Sequence, residues 1–139
     1  MSSTAAIGVG LKGSIELVVG EEHTAPRIGS GLVHVLATPV MINLFEAAAL
    51  AAIEHLLPPG HQSLGTHLDI SHIAATPVGM RVVAEAEVTK VEGRLVTFHV
   101  SARDARDLIG EGTHERMVVN LERFDKRVQE KIEAVAKSG

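Results

Sequence analysis

Between Thr38 and Gly60 the chain reads TPVMINLFEAAALAAIEHLLPPG, an apolar run that only Asn43, Glu46, Glu54 and His55 interrupt before its proline stop. Thr38 suits an N-cap, Pro39 is tolerated in a first turn, and Pro58, Pro59 and Gly60 end the helix. About 19 helical residues would span roughly 28 Å. A helix this apolar needs cover on most of its sides. No charge-free apolar run of about 18 residues appears, so no membrane span is expected. The cover must then come from the rest of the chain or from another copy.

On either side of that helix the periodicity is two, the period of strands. Residues 13–19, GSIELVV, read as a first strand ended by Gly20. Residues 21–37, with Pro26, Gly29 and Gly31, read as irregular. After the helix, GTHLDISHIAATPVG alternates, placing His67, Asp69 and Ser71 on one face and Leu68, Ile70, His72 and Ala74 on the other. Residues 80–91 gather Met80, Val82, Ala84, Ala86 and Val88 on one face, and residues 94–103 gather Val96, Phe98, Val100 and Ala102. Glu92-Gly93 links them as a tight hairpin. A last strand, LIGEGTHERMVVNL, precedes a charged amphipathic helix whose Phe124, Val128, Ile132 and Val135 are expected to pack on the body.

One strand, a long apolar helix, then four antiparallel strands make an α+β domain spanning residues 1–139. The helix must lie against the concave face of a curved sheet, the hot-dog arrangement. A single copy leaves a sheet edge and part of the helix bare, so a two-fold homodimer is expected, with a dimer of dimers left open.

Composition excludes several function classes. A net charge of −4 gives no basic footprint for nucleic acid, and the chain has no Trp or Tyr and only three Phe for stacking on bases. There is no cysteine, which removes disulfides and thiolate chemistry and suits a reducing cytoplasm. The first residues, MSSTAAIGVGLKG, carry no basic start and no long apolar core, so no signal peptide is expected. His67 and His72 fall on opposite strand faces, THER lies in a strand, and the glycine clusters match no phosphate loop; no metal and no cofactor is expected.

Two ionisable groups remain where apolar residues dominate. His72 shares its face with aliphatics, and Glu46 sits among Phe45, Ala47, Ala48 and Ala49. An imidazole and a carboxylate in a dry site suit acid–base or nucleophilic chemistry. The same spacing also suits a plain solvent stripe of Asn43, Glu46 and Glu54, and a core histidine with a hydrogen-bond partner. Eight residues of helix rise roughly 12 Å, so Thr38 and Glu46 cannot touch. His72, or a group from a second subunit, should lie between them.

The segments SLGT, SHIAATPVG, VEGR and GEGTHER, together with ATPVMINLFEAAALAAI, closely resemble the fluoroacetyl-CoA thioesterase family of hot-dog proteins. The resemblance covers roughly residues 36–126. It implies hydrolysis of an acyl-CoA thioester at a dimer-interface site, with Thr38, Glu46 and His72 as catalytic residues. It further implies that Gly65 offers a backbone amide to the thioester and that Arg116 orients acid groups or substrate. The chain departs from the family pattern at residues 23–37, HTAPRIGSGLVHVLA, where the fluoroacetyl-specific enzyme carries a longer segment with phenylalanines that close over the substrate. No aromatic residue stands here, so a different small acyl group is expected. Two other readings share the fold: a hydratase or dehydratase, and a non-catalytic acyl-CoA-binding module.

Overall fold

A computed structural model describes residues 2–138. Five antiparallel strands, β1 (Lys12–Val18), β2 (His61–His72), β3 (Arg81–Glu92), β4 (Leu95–Arg103) and β5 (Leu108–Asn120), form one sheet in the order β1-β3-β4-β5-β2. The short α1 (Ala25–Ile28) precedes the long α2 (Thr38–Ile53), and α3 (Leu121–Ser138) follows β5. The expected α+β hot-dog arrangement is present: α2 lies in the concave face of a curled sheet.

The alternating strands supply that face. Val82, Ala84, Ala86 and Val88 of β3, and Val96, Phe98, Val100 and Ala102 of β4, are fully buried. They meet Met41, Leu44, Phe45, Ala48, Ala49, Ala52 and Ile53 of α2. By length and composition Thr38–Leu56 could cross a bilayer, but here the sheet accounts for its apolar character. Contact is close enough at β1 that a Cβ on Gly13 would collide with the Ala48 carbonyl and the Ala52 nitrogen. Register shifts at Gly65/His67, Val88/Lys90 and Ala102/Arg103 introduce the bends that curl the sheet.

The elements depart from the sequence reading in several places, and β2 begins at His61, four residues before the alternating stretch. The helix gives way to a 3₁₀ turn at Glu54–Leu56, before the prolines are reached. The hairpin loop is Gly93-Arg94, one residue later than expected, with Gly93 at φ 61°. Residues 21–37 are not merely irregular, because Glu21–His23 and α1 are helical and Thr24 bridges Leu36. Finally, α3 leaves directly from β5 and its apolar stripe stays largely exposed, with Ile132 at 56% and Val135 at 66%. Only its first turns approach the sheet, where Phe124 and Val128 line an outer groove with Leu64, Met117 and Val119.

Two of the surfaces left bare in one copy flank the long helix. β2 pairs only with β5, so its other edge is open. Along α2, Thr38, Asn43 and Leu50 are exposed, and Ile42, Glu46 and Ala47 are half-buried.

Candidate functional site

The Gly65/His67 register shift decides which side chains share the inner face. Gly65 pairs with Arg116 and His67 with Glu115, so Thr66 is an extra residue in β2. A strand that gains one residue changes parity. Gly65 and His72 are an odd number of positions apart, yet both face α2. A Cβ on Gly65 would lie 2.8 Å from Glu46 Oε2, and His72 meets Thr38 of the same helix. Strict alternation places these two residues on opposite faces; the bulge reverses that.

At the N-terminal end of α2, Thr38 Oγ1 and His72 Nδ1 are 2.7 Å apart. Thr38 is therefore not the N-cap. Ala37 holds that position, and no side-chain cap bond is made. With its hydroxyl free of the helix end, Thr38 can orient an imidazole. Burial lowers the His72 pKa below its ordinary value, against a smaller raising effect from the Ala74 backbone. Its Nε2 is buried without a hydrogen-bond partner among the described residues. The pair opens into a cavity of about 340 Å³ bounded by Leu32, Val33, Val35, Leu36, Ile73 and Ala74. Residues 30–36 thus share a cavity with His72, and among them Leu32 and Val33 are strongly exposed.

Two turns along α2 the second group is assembled. Arg116, with a side chain only 6% exposed, donates from Nη1 to Glu46 Oε2 at 3.3 Å, Glu46 being 37% exposed. The same Nη1 lies 3.1 Å from His114 Nε2. Arg116 Nε donates to Ser63 Oγ at 2.8 Å and Nη2 to the Ser63 carbonyl at 3.0 Å. Ser63 in turn donates its hydroxyl and its amide to the Glu54 carboxylate, at 2.6 and 2.9 Å. Gly65 closes this cluster. Any side chain there would strike the Glu46 carboxylate and approach His114 and Arg116 at 3.2 and 3.4 Å.

The five residues singled out from sequence thus form two groups within one chain, Thr38 with His72 and Glu46 with Gly65 and Arg116. His72 does not lie between Thr38 and Glu46; it sits on Thr38, and the partner of Glu46 is Arg116. The two groups stand on the order of 12 Å apart along the helix and roughly 20 Å apart along β2. Sequence reasoning missed Ser63, Glu54 and His114. A signal was present, since two-residue spacing in THER puts His114 and Arg116 on one strand face.

A family model described as fluoroacetyl-CoA-specific thioesterase matches residues 19–122. The chain belongs to the fluoroacetyl-CoA-specific thioesterase family. A curated fluoroacetyl-CoA thioesterase from Streptantibioticus cattleyicolor is 47% identical over 100 residues, covering 72% of each chain. A solved structure of a fluoroacetyl-CoA thioesterase superposes with a TM-score of 0.84 at 39% identity, over 90% of this chain and 97% of that one. A thioesterase-superfamily protein from Thermus thermophilus reaches 0.84 at 30% identity, over 94% and 98%. Membership in the fluoroacetyl-CoA-specific thioesterase family makes this protein a thioester hydrolase, and both of its polar groups lie inside the matched span.

Proposed function

We propose that the protein hydrolyses small acyl-CoA thioesters at a site completed between two copies of the chain. The observation that carries this reading is the divided site: an imidazole of β2 held by Thr38, its buried Nε2 without a partner among the described residues, and a carboxylate of α2 held by Arg116 of β5 beside Gly65. Antiparallel pairing of two β2 edges, about the middle of the Gly65–His72 stretch, sets His72 of the partner subunit beside Gly65 and Glu46. Both residues face inward, so the pairing brings them into one pocket. The open edge of β2 and the bare stripe of α2 are covered by the same step.

In that pocket Thr38 donates to His72 Nδ1, which leaves the ring proton on Nε2. The thioester carbonyl oxygen is received by backbone N–H groups, with Gly65 a donor, so charge developing on oxygen is stabilised. Glu46 either attacks the carbonyl carbon, giving a mixed anhydride that water then cleaves, or takes a proton from the water that attacks. In both routes the C–S bond breaks, the Nε2 proton passes to the departing sulfur, and the proton that water gives up on adding, by way of Glu46 in the base route, returns to Nε2 and restores the neutral ring. Heavy-oxygen water separates the routes, because label enters the Glu46 carboxylate in a single turnover only through the anhydride. The aliphatic boundary of the cavity fits a short alkyl acyl group.

Subunit mixing tests the shared site. Glu46→Gln and His72→Ala each disable both sites of their own homodimer. In a one-to-one mixture about half the dimers are mixed and each has one intact site of two, so thiol release from acetyl- or propionyl-CoA returns to about a quarter of wild type. Activity no higher than that of the two variants measured separately would overturn the shared site. Absence of thiol release by the wild-type protein across a panel of acyl-CoA esters would overturn the substrate class.

A further inference from the structure

His114 is fully buried, and the chemistry proposed above makes no use of it. Its protonation is fixed by its neighbours. Nδ1 lies 2.9 Å from the carbonyl of His67, which can only accept, so Nδ1 carries the hydrogen. Nε2 lies 3.1 Å from Arg116 Nη1, which can only donate, so Nε2 carries none. The ring is a neutral imidazole of defined tautomer, stacked on Phe98 with centroids 6.0 Å apart and planes 25° from parallel.

Its two bonds reach the two features on which the site depends. The His67 carbonyl belongs to the residue that resumes pairing after the bulge, and the bulge brings Gly65 and His72 to one face. Arg116 Nη1 is the atom that meets Glu46. Ser63 fixes the rest of the guanidinium through Nε and Nη2, and Glu54 fixes Ser63. Without an acceptor at Nε2, Nη1 loses the partner that shares it with the carboxylate.

We propose that His114 is a positioning residue for thioester hydrolysis, a neutral acceptor that aims the Arg116 guanidinium at Glu46. The inference rests on the reading of Glu46 as the reacting carboxylate. An ordinary core histidine would need only its packing on Phe98 and any two hydrogen bonds. A positioning histidine needs one bond in particular, the acceptor toward Arg116.

Amide substitutions separate the two bonds. His114→Gln can place an oxygen near the Nε2 position and keep the acceptor for Arg116. His114→Asn can place its amide nitrogen near Nδ1 and keep only the donor to His67. His114→Phe keeps the stack on Phe98 and neither bond. Steady-state thiol release, with thermal melting to confirm folding, should show His114→Gln within about threefold of wild-type kcat. His114→Asn and His114→Phe should lose about tenfold to a hundredfold in kcat, the worth of a hydrogen bond to a charged group, with KM changed much less. Equal losses in the Gln and Asn variants overturn the inference, as do three near-wild-type variants. Loss of fold in both amide variants overturns it too, since the ring is then a structural element. Glu46→Gln, measured alongside, isolates the underlying reading. If that variant stays active, the role of Glu46 has failed; if it is inactive while His114→Phe is normal, only the positioning role has failed.

Discussion

The two ends of the bare stripe on α2 carry polar groups of opposite character. At the Glu46 end a chain of charge-assisted bonds runs from Glu54 through Ser63 and Arg116 to Glu46, and His114 satisfies what remains. At the Thr38 end there is one hydrogen bond, an orphaned buried nitrogen and a cavity. A buried polar atom without a partner is costly, so the two ends differ in how fully the described residues satisfy their polar groups. One end is preorganised by its own chain, and the other, on the proposed reading, is finished by substrate or by a second copy. The contrast explains how a small fold can hold a rigid carboxylate and still admit a bulky thioester.

The sharpest way to break the contrast is to remove the two groups proposed to react, one at a time. Glu46→Gln and His72→Ala should each lower kcat by at least about 10²-fold, the usual worth of an acid–base group. Stopped thiol release with propionyl-CoA measures both. If only one variant is impaired, the two ends do not serve one reaction.

A smaller effect tests the preorganised end alone. In Gly65→Ala the new methyl would sit 2.8 Å from Glu46 Oε2, so the carboxylate must give way. A displacement of about 1 Å in a reacting group costs up to about 10²-fold, and a loss of roughly tenfold to a hundredfold in kcat is expected, with the melting temperature little changed. At the open end Thr38→Ser should stay within about threefold of wild type, since it keeps the hydroxyl, whereas Thr38→Ala should lose roughly tenfold. No helix cap is lost in either, because Ala37 is the N-cap. Equal behaviour of the Ser and Ala variants in thiol release would show that the hydroxyl does not orient His72.

How much of this was legible in the sequence follows the same division. The central helix, the strands and the buried faces of β3 and β4 could be read directly, because periodicity reports one-sided burial and these elements are regular. The face of His72 could be read from its aliphatic neighbours, but strict alternation puts Gly65 on the opposite face, because Thr66 is an extra residue and no composition signal marks the insertion. Thr38 looked like a cap because capping and orienting a histidine ask for the same hydroxyl. Ser63, Glu54 and His114 escaped because their role lies in long-range bonds to Arg116 and to each other. The exposed stripe of α3 escaped because amphipathic spacing says which residues want cover, and not whether this chain supplies it.

The finest expected effect is a pH dependence of stability that arises at both ends. Burial lowers the pKa of His72 and of His114; for His114 the Arg116 charge adds to the lowering, while the His67 carbonyl, Glu46 and Glu115 oppose it. A histidine whose folded pKa lies below its unfolded value binds fewer protons when folded. Stability therefore rises with pH between the folded and unfolded values and falls as pH drops through that window. The loss is complete once pH lies below the folded value, where both states are protonated. Melting temperatures recorded from about pH 7 to about pH 5 should decline, and the decline should be shallower in His114→Gln, which removes one of the two rings whose pKa burial lowers. Part of the remaining slope belongs to His72, so His114→Gln with His72→Asn should flatten it further. An unchanged slope in His114→Gln would mean that the ring titrates alike in both states, and the fixed neutral tautomer at the preorganised end would have to be given up.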